Sequence, residues 1–224
     1  MSSPASTPTA AERARLADAL ATAGPAAPTL CTGWTSHDLA AHLVARERRP
    51  DSTPGLVVAG LSGWTERVRR RYARRPYAEL VELVRSGPPR SSPFALPGVD
   101  RVVNLTEHFV HCEDVLRGSR TEDEAGPPAS PAVVDPAVGD ALWGVLRVRG
   151  RSLVGRAGVA VVLATPDGRE HRVDSRQVGQ PVLRLTGQPG ELVLLAFGRG
   201  ARAAVRRAGD DEALAALAAA DLGV

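Results

Sequence analysis

Residues 104–114 read Asn104-Leu105-Thr106-Glu107-His108-Phe109-Val110-His111-Cys112-Glu113-Asp114. Glu107 and His111 are spaced i, i+4, which puts them on one face of a helix. Val103, Val110 and Val115 fall on the same face, so it is expected to point inward. A carboxylate and an imidazole are costly to bury unless something pairs with them. A divalent metal would do so, with His42 as a third ligand from another helix. The alternative is a buried Glu–His hydrogen bond with His42 satisfied separately.

Working outward from this stretch, the N-terminal half reads as helices. Thr9 to Thr22 is periodic and stops at Gly24-Pro25. Thr35 opens a second helix as an N-cap, with Asp38 three residues on. Leu39, His42, Leu43 and Arg46 follow at i, i+3, i+4, i+7, which sets His42 beside the apolar stripe. Pro50 ends that helix. A third helical region spans about 57–86, interrupted near Arg75-Pro76, and a Pro/Ser loop covers 87–97. The fourth helix, about 98–117, carries Glu107 and His111, with Gly118 expected as its C′ residue.

Beyond residue 118 the pattern changes. Residues 119–134 are rich in Gly, Pro, Ser and acidic side chains and read as a connector. A helix follows at 135–153, its apolar side formed by Ala141, Leu142, Val145, Leu146 and Val148. Strands are expected at 158–164, 169–175, 181–186 and 203–207, a short helix at 191–197, and a closing helix at 211–220 capped by Asp210. The fold class is therefore α+β: a helical bundle over 9–118 after a disordered 1–8, then a helix plus a small α+β domain over 135–224.

Composition narrows the function classes. No apolar run approaches the roughly 18 residues of a membrane helix, and residues 1–8 lack the regions of a secretory signal, so a cytoplasmic protein is expected. All 28 basic residues are Arg, and the net charge is only +3. Together with abundant Ala, Gly and Pro, this suggests a GC-rich genome. The densest Arg run, Arg67 to Arg75, reads as a solvated helix face, with contact to an anionic ligand as the alternative; no nucleic-acid motif accompanies it. Cys31 and Cys112 form no C-x-x-C pair and read as small apolar residues.

Two His and one carboxylate suit Zn²⁺ or another divalent ion with an open coordination position. Of the remaining polar residues, His108 points elsewhere on its helix, His37 lies at the mouth of the second helix, and His171 falls on a polar strand. Asp114, at i+3 from His111, is placed to accept its second N–H, and equally to ligate the metal or pair with Arg117. Arg46, one turn after His42, is placed to meet a substrate carboxylate or a neighbouring acid.

Cys31-Thr-Gly-Trp34-Thr-x-x-Asp38-Leu-Ala-Ala-His42-Leu-Val resembles the first motif of the mycothiol-dependent maleylpyruvate isomerase family, part of the DinB-like superfamily. Asn104-x-x-Glu107-x-x-x-His111-x-Glu113-Asp114-Val115 resembles its second motif. The Arg46-Glu47-Arg48-Arg49-Pro50-Asp51 run and Arg85-Ser-Gly-Pro-Pro resemble an actinobacterial metal-binding subfamily. Thr186-Gly-Gln-Pro-Gly-Glu191-Leu and Phe197-Gly198-Arg199 resemble the small C-terminal domain of relatives. The resemblance implies a DinB-like four-helix bundle and a metal, most simply Zn²⁺, held by His42, Glu107 and His111.

The function expected first is a metal-dependent thiol enzyme, in which a low-molecular-weight thiol such as mycothiol is ionised and added to an electrophilic small molecule, giving transfer or isomerisation. The alternatives are metal-assisted hydrolysis, with Glu113 or Asp114 as base, and a non-catalytic metal- or ligand-binding protein. The open coordination position is expected to face a cleft against the C-terminal domain, where Arg199 would contact an anionic substrate. Neither nucleic acid nor membrane is expected as a partner.

Overall fold

The computed structural model describes residues 7–52, 62–118, 131–174, 181–220 and 222. Most of the N-terminal stretch 1–8, the start of the third helical region and most of the 119–134 connector lie outside these residues. The chain divides into two compact units, Met1–Arg120 and Thr121–Val224. The first is helical; the second carries a small four-stranded sheet.

In the first unit, α1 (Pro8–Ala23) begins where Thr7 Oγ1 accepts from Ala10 N–H, and Pro8 sits where a missing N–H costs nothing. It ends at Gly24, whose φ of 82° favours glycine. α2 (Ser36–Arg48) has a reciprocal capping box between Thr35 and Asp38. The third region is two helices, α3 (Ser62–Tyr72) and α4 (Tyr77–Ser86), because Pro76 cannot continue α3. The expected fourth helix is segmented too. A short α5 (Pro97–Val99) and a π-turn (Asp100–Asn104) precede α6 (Leu105–Gly118).

α1 packs on α4 and α6, and α2 on α3 and α4. Leu16, Leu20, Leu39, Leu43, Leu80, Val84, Cys112 and Val115 close the core between them. With aromatics at 4% of the chain, aliphatic side chains do this work. Gly118 differs from its expected role. It does not adopt a left-handed conformation, so it is no C′ cap. Its missing side chain instead lets α6 touch the 28–34 loop: a Cβ there would overlap the Thr29 backbone and come within 2.5 Å of Pro28 O.

In the second unit, α7 (Pro136–Val154) starts at Asp135, whose carboxylate accepts from Ala137 N–H. Leu142, Val145 and Leu146 are buried as expected, but Val148 is 79% exposed, one step off the buried stripe. The sheet order is β2-β1-β3-β4, built from β1 (Ala160–Ala164), β2 (Glu170–Val173), β3 (Val182–Thr186) and β4 (Arg206–Ala208). β1 and β3 are parallel, with Val161 opposite Leu183; both flanking pairs are antiparallel. α8 (Pro189–Leu194) runs into a π-turn that breaks at Phe197 and Gly198. Asp210 caps α9 (Asp211–Ala219) through Ala213 N–H. Glu191 is fully buried, its two carboxylate oxygens accepting from Ala132 and Ala204 N–H.

Candidate metal centre

The first unit brings His42, Glu107 and His111 together. Each offers one ligand atom within 4.8 Å of the other two. Glu107 Oε1 lies 3.4 Å from His42 Nε2 and 3.2 Å from His111 Nε2. The imidazole rings stand nearly edge-on, 5.6 Å apart at 73°. The capping box fixes the start of α2 and hence the height of His42, whose ring rests against Trp34 at 5.1 Å.

Asp114 orients His111. It is fully buried, and its Oδ2 lies 2.9 Å from His111 Nδ1. A carboxylate at that distance places a proton on Nδ1 and leaves Nε2 to face Glu107 and His42. Of the three roles expected for Asp114, the structure shows the bond to His111. Arg117 pairs with Glu113 at 2.6 Å. Glu113 also binds Arg15, so this carboxylate is committed to two guanidinium groups.

Charges are distributed unevenly. Burial pushes the His42 pKa down, against the pull of Glu107, and favours its neutral form. Burial also opposes the charged forms of Glu107 and His111, but their partners outweigh it. Arg46 and the two imidazoles hold Glu107 well below the usual carboxylate range. Asp114, Cys31 and Glu107 hold His111 well above the usual imidazole range. In the metal-free protein the cluster therefore carries a cation on His111, beside ionised Glu107. A divalent ion replacing the Nε2 proton would meet two neutral imidazole nitrogens and a carboxylate oxygen, the donor set that suits Zn²⁺.

Arg46 is buried beside this cluster. Its Nε is 3.5 Å from Glu107 Oε1, its Nη1 donates to Asn104 Oδ1 at 3.1 Å, and its guanidinium lies 4.2 Å above the centre of the Phe94 ring. Its Nη2 is buried and, among the described residues, has no hydrogen-bond partner. His108 turns away, as its helical position requires, and pairs with Glu47 at 3.1 Å in a second α2–α6 link. His37 sits at the start of α2, its Nε2 3.2 Å from Arg75 O. Arg199 belongs to the second unit and donates to Phe197 O at 2.6 Å.

Cys31 departs from its reading as a small apolar residue. The 28–34 loop is pinned to α6 by Leu30 N–H donating to Asp114 O at 3.0 Å, and within itself by Thr29 Oγ1 donating to Trp34 O at 2.9 Å. Cys31 Sγ consequently donates to Asp114 Oδ2 at 3.2 Å and lies 4.0 Å from His111 Nδ1. Cys31, His111 and Asp114 form a second convergent set of donor atoms behind the first. Asn104, Phe94 and Trp34 also escaped the sequence reading as neighbours of the site. Their contacts cross between elements; Trp34 and Asn104 stood in the two motif segments, but nothing in the sequence set them beside His42 and Arg46.

The profile of the mycothiol maleylpyruvate isomerase N-terminal domain matches residues 7–92. Over those residues the chain is similar to that family's N-terminal domain. The matched segment includes His42 and Arg46 and stops before Glu107 and His111. A solved mycothiol-dependent maleylpyruvate isomerase superposes with a TM-score of 0.52 at 13% sequence identity, covering 90% of each chain. At that identity the likeness concerns the fold, and it extends over both units of this chain. No curated protein sequence matches. The His–Glu–His cluster thus lies in a fold similar to that of the solved isomerase. Among the described residues no helix is long and apolar enough to cross a membrane.

Proposed function

We propose that this protein is a thiol-dependent enzyme of the mycothiol maleylpyruvate isomerase type, holding a divalent ion, Zn²⁺ by preference, on His42, Glu107 and His111. The observation that carries this reading is the convergence of His42 Nε2, His111 Nε2 and Glu107 Oε1 with Asp114 locking the His111 tautomer. Bound there, the ion would supply Lewis acidity that lets a low-molecular-weight thiol ionise near neutral pH; a free thiol, with pKa about 8.5, is mostly protonated there.

The residues around the ion have distinct tasks in this reading. Asp114 holds the His111 proton on Nδ1 and keeps Nε2 available. Phe94 and Asn104 hold the Arg46 guanidinium beside Glu107, where it can orient an acidic group of the substrate. Trp34 walls the His42 ring. The family supports mycothiol as the thiol and an electrophilic small molecule as its acceptor. Hydrolysis is less well supported, because Glu113 is bound by Arg15 and Arg117 and Asp114 is taken by His111, so neither is free to act as base.

Metal analysis of the purified protein and of His42→Ala tests the site. One ion per chain in the first and loss of it in the second are expected, with unchanged far-ultraviolet circular dichroism. Replacing the ion by Co²⁺ and adding mycothiol should then produce a sulfur-to-cobalt charge-transfer band. Retention of stoichiometric metal by His42→Ala would remove the site. A Co²⁺ spectrum indifferent to thiol would remove the chemistry while leaving the site.

A further inference from the structure

The helix α3 places Trp64, Arg67 and Arg71 at successive steps of three and four residues, with Arg70 beside them, so they line one stripe, and Arg74 follows in the turn after the helix. This stripe, with Arg49 of the segment after α2, lines a cavity of about 560 Å³. That volume lies within the range of about 300–1,000 Å³ in which proteins take small molecules. Five guanidinium groups line it against one carboxylate, Glu66. The lining thus has four more basic than acidic groups, against a net charge of only +3 for the whole chain.

The few acids nearby are already committed. Glu66 is held by Arg69 and Arg70, and Asp51 binds Arg49 through two bonds of 2.8 and 2.7 Å. Among the described residues, Arg67, Arg71 and Arg74 have no ion pair or hydrogen bond. Like charges three and four residues apart destabilise a helix, and a bound anion would reverse that cost. The cavity also has an apolar part. Val68, itself buried, lines it, and Trp64 is 39% exposed, with the Arg49 guanidinium 5.5 Å from its ring centre. A merely solvated helix face has no need of a cavity or of an aromatic wall.

We propose that this cavity is a binding site for a small molecule that carries two or more anionic groups next to a flat apolar part. Arg67, Arg71 and Arg74 hold the anionic groups in planar, bidentate fashion, and Trp64 meets the flat part. Phosphate and carboxylate share this chemistry, and either source fits. The site is separate from the His42–Glu107–His111 cluster, and none of those three residues lines it.

Isothermal titration calorimetry of the full chain with ADP, benzene-1,3,5-tricarboxylate and adenosine tests the proposal. Saturable binding of ADP or the tricarboxylate, with a dissociation constant of about 1 mM or tighter, is expected, and adenosine should bind at least about tenfold more weakly. Preference between the two anions assigns the source. The combined Arg67→Gln, Arg71→Gln, Arg74→Gln variant should lose at least about tenfold in affinity with its metal content unchanged. As a reading that needs no variant, affinity of the unaltered protein should fall steeply as salt rises toward about 0.5 M. Adenosine binding as well as ADP, affinity indifferent to salt, or saturation by a double-stranded oligonucleotide alone would overturn it. Because metal content is read in parallel, loss of this site and loss of the proposed metal site are distinguishable.

Discussion

Two thiols of one chain have opposite surroundings. Cys112 is fully buried in the bundle core, and burial pushes its pKa from about 9 up to about 12. Cys31 is half-buried at the edge of the candidate metal centre. In the native protein a maleimide is expected to label Cys31 and spare Cys112 until denaturant is added; equal labelling rates would contradict the packing. The Cys112 shift also gives stability a pH dependence. The folded state holds the proton more tightly than the unfolded one, so this contribution is complete below about 9 and is lost as pH rises toward about 12. Urea midpoints between pH 8 and 10 should fall less in Cys112→Ala than in the parent. For metal affinity the titrating group is His111. Its raised pKa means a proton must leave Nε2 when the ion enters, so affinity weakens as pH is lowered, beginning above the ordinary imidazole value of 6.5. Asp114→Asn removes the charge that orients His111 and should weaken metal binding about 10–100-fold, as read by chelator competition.

At the scale of elements, one close approach couples the 28–34 loop to α6. Gly118→Ala would drive a methyl into the backbone of Pro28 and Thr29. The expected loss is about 1–3 kcal/mol in urea denaturation, with Cys31 becoming faster to alkylate as the loop lifts. Wild-type stability in this variant would mean that the loop already moves freely. Thr35→Ala breaks both halves of the capping box and should cost about 1 kcal/mol. The Thr35 cap was legible in the sequence because capping is local, and so was the Glu107/His111 pair, whose spacing alone puts two side chains on one face. The strand order was not legible: β1 pairs with β3 in parallel across the β2 hairpin, and nothing in the alternation of either strand announces its partner. Gly118 misled for a related reason. A glycine at a helix end has two physical uses, and only the approach of a distant loop distinguishes them. Cys31 was read as apolar because its polar neighbours, Asp114 and His111, lie more than seventy residues away in the chain. Val148 was assigned to the buried side because its hydrophobicity fits, while the helix face it occupies does not.

For the whole molecule, the two compact units pose a question about where the energy of metal binding goes. All three proposed ligands, the tautomer lock on Asp114 and the neighbouring Arg46 lie within Met1–Arg120. An ion that binds only the folded first unit stabilises it by RT ln(1 + [L]/Kd), about 2.7 kcal/mol at a hundred times the dissociation constant. The ligands join α2 to α6, two helices linked otherwise by the Glu47–His108 pair and by Arg46 with Asn104 on the adjoining π-turn. An ion held there would act as a cross-brace, and its effect should concentrate where those helices would otherwise open. Amide hydrogen exchange with and without Zn²⁺ reads this directly. Slower exchange is expected in α2, in α6 and in the α1 and α4 segments packed on them, while β1 to β4 exchange at the same rate in both conditions. His42→Ala should abolish the difference throughout. Protection of the strands equal to that of the helices, or protection that persists without His42, would place the ion outside the cluster assigned to it.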